Sequence, residues 1–134
     1  MAVQLATLTR DARLNAIETE VGTAPILKLR TGAQPADCGT ADSGTVLCSM
    51  TLPSDWLNAA SSGQITKNGT WSGTASGGGG TIAHFRIYVG PAGTVCKMQG
   101  SVGLGSGDLQ LDNNVVADGQ TVTITAFTLT DGNA

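Results

Sequence analysis

Residues 120–129, QTVTITAFTL, alternate threonine with apolar side chains. A period of two puts successive side chains on opposite faces, which only a strand buried on one side can use. The apolar phase slips, from Val122 and Ile124 to Phe127 and Leu129, so a β-bulge is expected near Ala126. The same period recurs at 26–30, 45–52, 81–89, 94–102 and 108–112. In 26–30, Leu27 and Leu29 share one face, and Lys28 and Arg30 the other. In 81–89, Phe85 and Ile87 oppose His84, Arg86 and Tyr88. In 94–102, Cys96, Met98 and Val102 are expected to point inward. Segments rich in Gly, Pro, Asn and Asp separate these runs, as turn chemistry requires.

One stretch has a different period. Leu14, Ile17 and Val21 recur at i, i+3 and i+7, predicting a helix over about 9–21. Thr9 is its expected N-cap, Asp11 suits the first turn, and Gly22 suits the residue after the end. Pro25 then prevents resumption. Ser54 is expected to cap a single turn carrying Trp56 and Leu57, and Asn68-Gly69 reads as a hairpin turn. Nineteen glycines and a charged content of 13%, about half the usual ~25%, fit tight turns rather than a helical bundle. The expected fold is mainly β, a jelly-roll-like β-sandwich of about 7–8 strands with one short N-terminal helix. Residues 1–24 form the arm and helix of that scheme, and residues 25–134 the sandwich.

Side-chain chemistry narrows the function classes. The net charge is −3 and the seven basic residues form no cluster, which disfavours nucleic acid. No apolar run reaches the ~18–20 residues of a membrane span, and the opening residues lack the pattern of a secretory signal. Synthesis and assembly in a cytoplasm are therefore expected, with no membrane partner. His84 is the sole histidine, and no Gly-x-Ser-x-Gly elbow accompanies it. It is expected in a surface or interface hydrogen bond. One His and three scattered cysteines do not supply a zinc site, and the 108–118 Asp/Asn cluster lacks EF-hand spacing. Glu18 and Glu20, the only glutamates, lie on the helix rather than across a cleft. No catalytic residue, cofactor or metal is expected. The odd cysteine count argues against a closed disulfide framework, although a Cys38–Cys48 bridge under oxidant is conceivable. Trp56, Trp71 and Tyr88 read as core or interface residues, with a sugar-stacking platform as the functional alternative.

Six segments in order carry a family likeness: AIETEVG at 16–22, PILKLRTG at 25–32, MTLPSDWL at 50–57, HFRIY at 84–88, CKMQG at 96–100 and FTLTDGN at 127–133. Together they resemble a family of small structural proteins of tailed bacteriophages, the capsid cement or decoration proteins. The resemblance implies a β-sandwich present in many copies on the virion, without enzymatic activity. It implies the major capsid protein and further copies of the chain, as dimers or trimers, as partners. The family pattern marks no contact residues. The apolar arm of Val3, Leu5 and Leu8, followed by Arg10 and Arg13, is the expected interface, because it is more apolar surface than a monomer usually exposes. A tail-fibre or tail-spike module binding a host glycan is the alternative. A small hydrolase converging on His84 and an Asp is the third reading.

Overall fold

The computed structural model describes residues 3–132. The chain is mainly β with one amino-terminal helix, in agreement with its periodicities. Helix α1 (Thr7–Val21) precedes ten strands: β1 (Ile26–Arg30), β2 (Val46–Thr51), β3 (Gln64–Thr66), β4 (Ser72–Thr74), β5 (Gly80–Thr81), β6 (His84–Tyr88), β7 (Cys96–Gly103), β8 (Leu109–Leu111), β9 (Val115–Val116) and β10 (Thr121–Thr130). Eight strands form one curled sheet in the order β2-β1-β6-β7-β8-β10-β3, with β4 also on β10. All neighbours are antiparallel except β7 and β8. The curl almost closes. A Cys48–Ala75 bridge and a 2.8 Å bond from the Ser76 N–H to the Leu47 carbonyl join β2 to the end of β4. The outer edge of β3 is capped by residues 56–58, through Asn58 N–H to Thr66 O at 2.8 Å and Asn68 N–H to Trp56 O at 2.8 Å. These contacts cover edges that would otherwise template pairing with other chains.

The bulge lies where the phase slip places it. The register of β10 on β8 shifts between Ile124 and Ala126. Val122, Ile124 and Phe127 all face the core as a result. The segments flanking Asn68-Gly69 do not pair with each other. Strands β3 and β4 lie in succession along one side of β10, at Thr128–Thr130 and Thr121–Thr123. Gly69 does take the left-handed conformation, with φ 73°, but the turn kinks a continuing edge instead of reversing it. No helical turn forms at 54–57. Leu57 bridges to Lys67 in extended conformation, and Trp56 is buried with its Nε1–H on the Gly22 carbonyl at 3.0 Å. The expected strand 81–89 is divided, because Gly80–Thr81 pairs with Val115–Val116 while His84–Tyr88 pairs with β1 and β7.

Inside the curl, aromatic rings run in series. Trp56 and Trp71 lie 5.9 Å apart, Trp71 and Phe127 5.4 Å, and Phe127 meets Phe85 edge-on at 5.8 Å. Offset and edge-on pairs at these separations add attraction beyond area burial. The helix contributes Leu14 and Val21 to the same core. It starts two residues before the expected position, from Ala6, and Thr9 does not cap it. Gly22 ends it at φ 93°, as expected. Its polar side chains are spent on tertiary contacts. Asp11 accepts the Gly63 N–H at 2.7 Å, Asn15 the Ala60 N–H at 2.9 Å, and Glu18 the Leu57 N–H at 3.1 Å. These acceptors recur at i, i+4 and i+7, one stripe of the helix. They satisfy the backbone of an irregular segment that has no strand partner there.

Candidate functional site: an arginine clamp and an amino-terminal arm

Two regions concentrate the polar and apolar side chains that the core does not use. The first is the outward face of β1, β6 and β7. Alternation puts Lys28, Arg30, His84, Arg86 and Tyr88 there, and the loop 31–45 folds over them. Arg86 is only 2% exposed. Its Nε–H donates to Gln99 Oε1 at 3.1 Å, and its Nη2 to the carbonyls of Asp37 at 2.9 Å and Thr40 at 3.1 Å. Its Nη1 donates to Asp42 Oδ1. Asp42 accepts three further-reaching groups in all, counting Arg86: Arg30 Nη2 reaches Oδ2 at 2.9 Å, and the Tyr88 hydroxyl reaches Oδ1 at 2.6 Å. Gln99 also donates to the Pro35 carbonyl at 2.8 Å.

The electrostatics follow from this packing. Burial pushes the Asp42 carboxyl up, but the Tyr88 and Arg86 hydrogen bonds and the charges of Arg30 and Arg86 hold it below the usual carboxylate range. Tyr88 is pushed up to about 12, first by burial and second because its proton is donated to the Asp42 carboxylate. Arg86 is raised: desolvation pulls it down, and the Asp42 hydrogen bond together with the charges of nearby groups outweighs that. Lys28 donates to the Gly93 carbonyl at 2.9 Å and lies 4.7 Å over the Tyr88 ring.

His84 is 1% exposed, so it is not the surface residue that alternation alone suggests. The loop covers its face, and its Nδ1 lies 2.9 Å from the Gly32 carbonyl. The cysteine expectation also changes. Cys48 is buried in the core, and burial raises its thiol. Cys38 and Cys96 are free and half-buried. A register shift between Ile87 and Tyr88 sets Met98 opposite Ile87 but Cys96 opposite Tyr88. Cys96 therefore joins the loop-covered face, whereas simple alternation would have turned it inward with Met98.

The second region is the amino-terminal arm. Val3 and Leu8 are each 82% exposed, and Leu5 is half-buried. Arg10 and Arg13 both reach Asp131, Arg10 half-buried and Arg13 with its side chain still 60% exposed. Arg10 Nη1 donates to the Asp131 carbonyl at 2.9 Å and Arg13 Nε approaches Asp131 Oδ2 at 3.2 Å. Asp131 N–H in turn donates to the Gly63 carbonyl at 2.9 Å. The structure thus groups Val3 and Leu8 as exposed apolar surface and assigns Arg10 and Arg13 to fastening the helix. Open hollows flank the helix, one of about 260 Å³ lined by Arg13, Ala16, Ile17, Glu20, Val21 and Lys97. Lys97 spans it to Glu20 at 2.7 Å and holds that carboxyl below its usual range.

Sequence reasoning missed the clamp. Its signal was two arginines on the polar side of neighbouring strands, facing an acid-containing loop with no apolar residue large enough to cover them. Among the described residues no group of three or more His, Cys, Asp and Glu side chains is arranged to hold a metal ion. Comparison with protein-family models, with curated proteins and with solved structures finds no match.

Proposed function

We propose that this protein is a capsid cement protein, a virion structural component that binds the outer surface of a phage major capsid shell and stabilises it. The observation that carries the reading is the mounting of the arm. Val3 stands exposed ahead of the helix and Leu8 on its first turn, and Arg10, Asp11, Asn15 and Glu18 fasten that helix to the body. Such an apolar element, held in place before contact, binds without a large ordering cost. The family resemblance of the six segments supports the same reading. The mechanism is mechanical. Bound copies bridge neighbouring capsomers, and a ligand that binds the expanded shell but not its precursor shifts the balance toward the expanded shell by mass action. Copies pairing around a symmetry axis would use the same patch on each subunit.

Trp71 and Tyr88 on one exposed patch would favour the glycan-binding alternative. Each is 1% exposed, so that platform has no support. The hydrolase reading required an open pocket at His84, and the loop 31–45 occupies that position.

The test is co-sedimentation of the purified protein with expanded shells lacking it. Saturable binding, with raised heat resistance of the shell, is expected. A Val3→Asp/Leu8→Asp variant should fold normally and lose binding. Equal binding by that variant would refute the arm's role, and no binding by the wild-type chain would refute the cement function.

A further inference from the structure

One anchor of the loop 31–45 is a histidine with a nitrogen to spare. His84 Nδ1 lies 2.9 Å from the Gly32 carbonyl, at the start of the loop. A carbonyl only accepts, so Nδ1 carries the ring's proton and Nε2 is a bare lone pair. That nitrogen is buried and has no hydrogen-bond partner. The charges around it are mostly positive. Arg30 of β1 is the register partner of His84, and its Nε, likewise buried without a partner, is a donor that offers no acceptor. Arg30 and Arg86 both donate to Asp42, the one loop carboxylate that reaches them. Asp37, the other, is turned to Thr40 within the loop. Lys28 is turned to the Gly93 carbonyl, and Tyr88 gives its proton to Asp42. On the β7 side the residue opposite His84 is Ser101, whose hydroxyl is donated to Asp108 at 2.9 Å. Cys38 and Cys96 complete the titratable groups of the loop and the face beneath it.

We propose that His84 is an acid-sensitive latch: a proton on its Nε2 releases the loop 31–45 from the sheet. This inference is independent of the capsid reading. The closed loop has no place for that proton. A protonated ring donates from both nitrogens, and the charged Nε2–H would point at no acceptor. The added charge would stand with Arg30 and Arg86 against the single Asp42 carboxylate. Opening the loop lets water solvate the ring and removes the burial of its charge. The proton therefore binds the open form in preference.

One proton taken up on opening makes the open fraction grow by about tenfold per pH unit below about pH 6.5, where a solvated imidazole is half protonated. The carboxylates do not act in that range. Asp42 and Asp37 are both held below the usual carboxylate range, so what they add to stability is present above about pH 4 and is lost only below it. Tyr88 changes only at the alkaline end. The loop supplies no residue to the hydrophobic core, so it can separate while the sheet stays folded.

The experiment follows amide hydrogen exchange of the full chain by NMR between pH 8 and pH 5, roughly the range over which an imidazole titrates, with rates corrected for the ordinary pH dependence of exchange. The Thr31 and Thr45 amides report closure, because they donate to the Thr45 carbonyl at 3.0 Å and the Thr31 hydroxyl at 2.9 Å across the base of the loop. Their protection should hold down to about pH 6.5 and then fall by about tenfold per unit, while amides of β1 and β6 keep theirs. His84→Asn sets an amide N–H where Nδ1 stands and takes up no proton, so its loop should stay protected throughout. His84 is the only histidine, so its ring signal in the wild type reports protonation directly. That signal decides alone if asparagine fails to hold the loop even at pH 8. Loop protection that does not fall in the wild type, an equal fall in His84→Asn, or a ring that protonates while the loop amides stay protected would each overturn the proposal.

Discussion

Replacing Asp42 by alanine tests whether the clamp, and not the sheet alone, holds the loop in place. The carboxylate accepts from Arg86, Arg30 and Tyr88. Its removal leaves two almost fully buried guanidinium groups facing no anion and a buried hydroxyl without its acceptor. Breaking a buried pair on one side costs about 3–5 kcal/mol. The Asp42 side chain is 39% exposed, so water replaces part of what is lost, and about 2–3 kcal/mol is the expected cost. That is a large share of the roughly 5–15 kcal/mol that holds a domain of this size. Urea unfolding followed by tryptophan fluorescence is the assay, because Trp56 and Trp71 are both in the core. A second variant, Arg86→Met, fills the same space without charge. The double variant should be more stable than the sum of the single losses implies, with a coupling of about 1–3 kcal/mol. A cost for Asp42→Ala within about 0.5 kcal/mol, the range of ordinary surface substitutions, refutes the reasoning.

Tyr88 is the only tyrosine, so ultraviolet absorbance follows its ionisation alone. Its folded-state value is raised from 10.0 to about 12. A raised value means stability that is complete below pH 10 and lost as pH rises through about 12, roughly 3 kcal/mol in total. Ionisation centred near pH 10 in the folded protein would contradict the buried hydrogen bond to Asp42. Gly44→Ala should destabilise by at least about 2 kcal/mol, since φ is +70° and a Cβ there would stand 1.9 Å from the Thr31 carbonyl oxygen; a loss below about 0.5 kcal/mol in the same urea assay would contradict that crowding.

Elements whose period fixes one buried face were legible: the helix around Leu14 and Val21, the Leu27/Leu29 and Leu109/Leu111 strands, and the bulge in β10. Apolar burial dominates there, and its period is written directly in the sequence. Where both faces are buried, periodicity stops distinguishing them. Every residue of His84–Tyr88 is buried, so alternation separates the face of His84, Arg86 and Tyr88 from that of Phe85 and Ile87 but does not say that it too is covered. The identity of the cover, the loop 31–45, depends on contacts between residues far apart in sequence. The Cys96 phase failed for a local reason, one extra residue in a hairpin. The turn at Asn68-Gly69 failed for a tertiary one, since both flanking segments pair with β10 and not with each other. Of the expected interface, Val3 and Leu8 have the exposure that a docking role requires, while Arg10 and Arg13 bind Asp131 and Arg13 stays exposed.

The fastening of the helix leads to a prediction that separates positioning from contact. Asp11 touches the Gly63 N–H and stands three residues after Leu8 on the same helix. Asp11→Ala removes no exposed apolar atom, yet it leaves a buried backbone N–H without its acceptor, at a cost of about 1–3 kcal/mol. If the arm binds the shell because it is held ready, part of that cost reappears as weaker binding, with each 1.4 kcal/mol giving about a tenfold loss. Lys97→Ala is the control, since its ion pair with Glu20 lies on the exposed flank at the other end of the helix. It should leave shell affinity unchanged. Co-sedimentation titrations of the two variants decide the matter. Unchanged affinity in Asp11→Ala, alongside loss of binding in Val3→Asp/Leu8→Asp, would mean that the arm acts by contact alone and that its mounting is incidental.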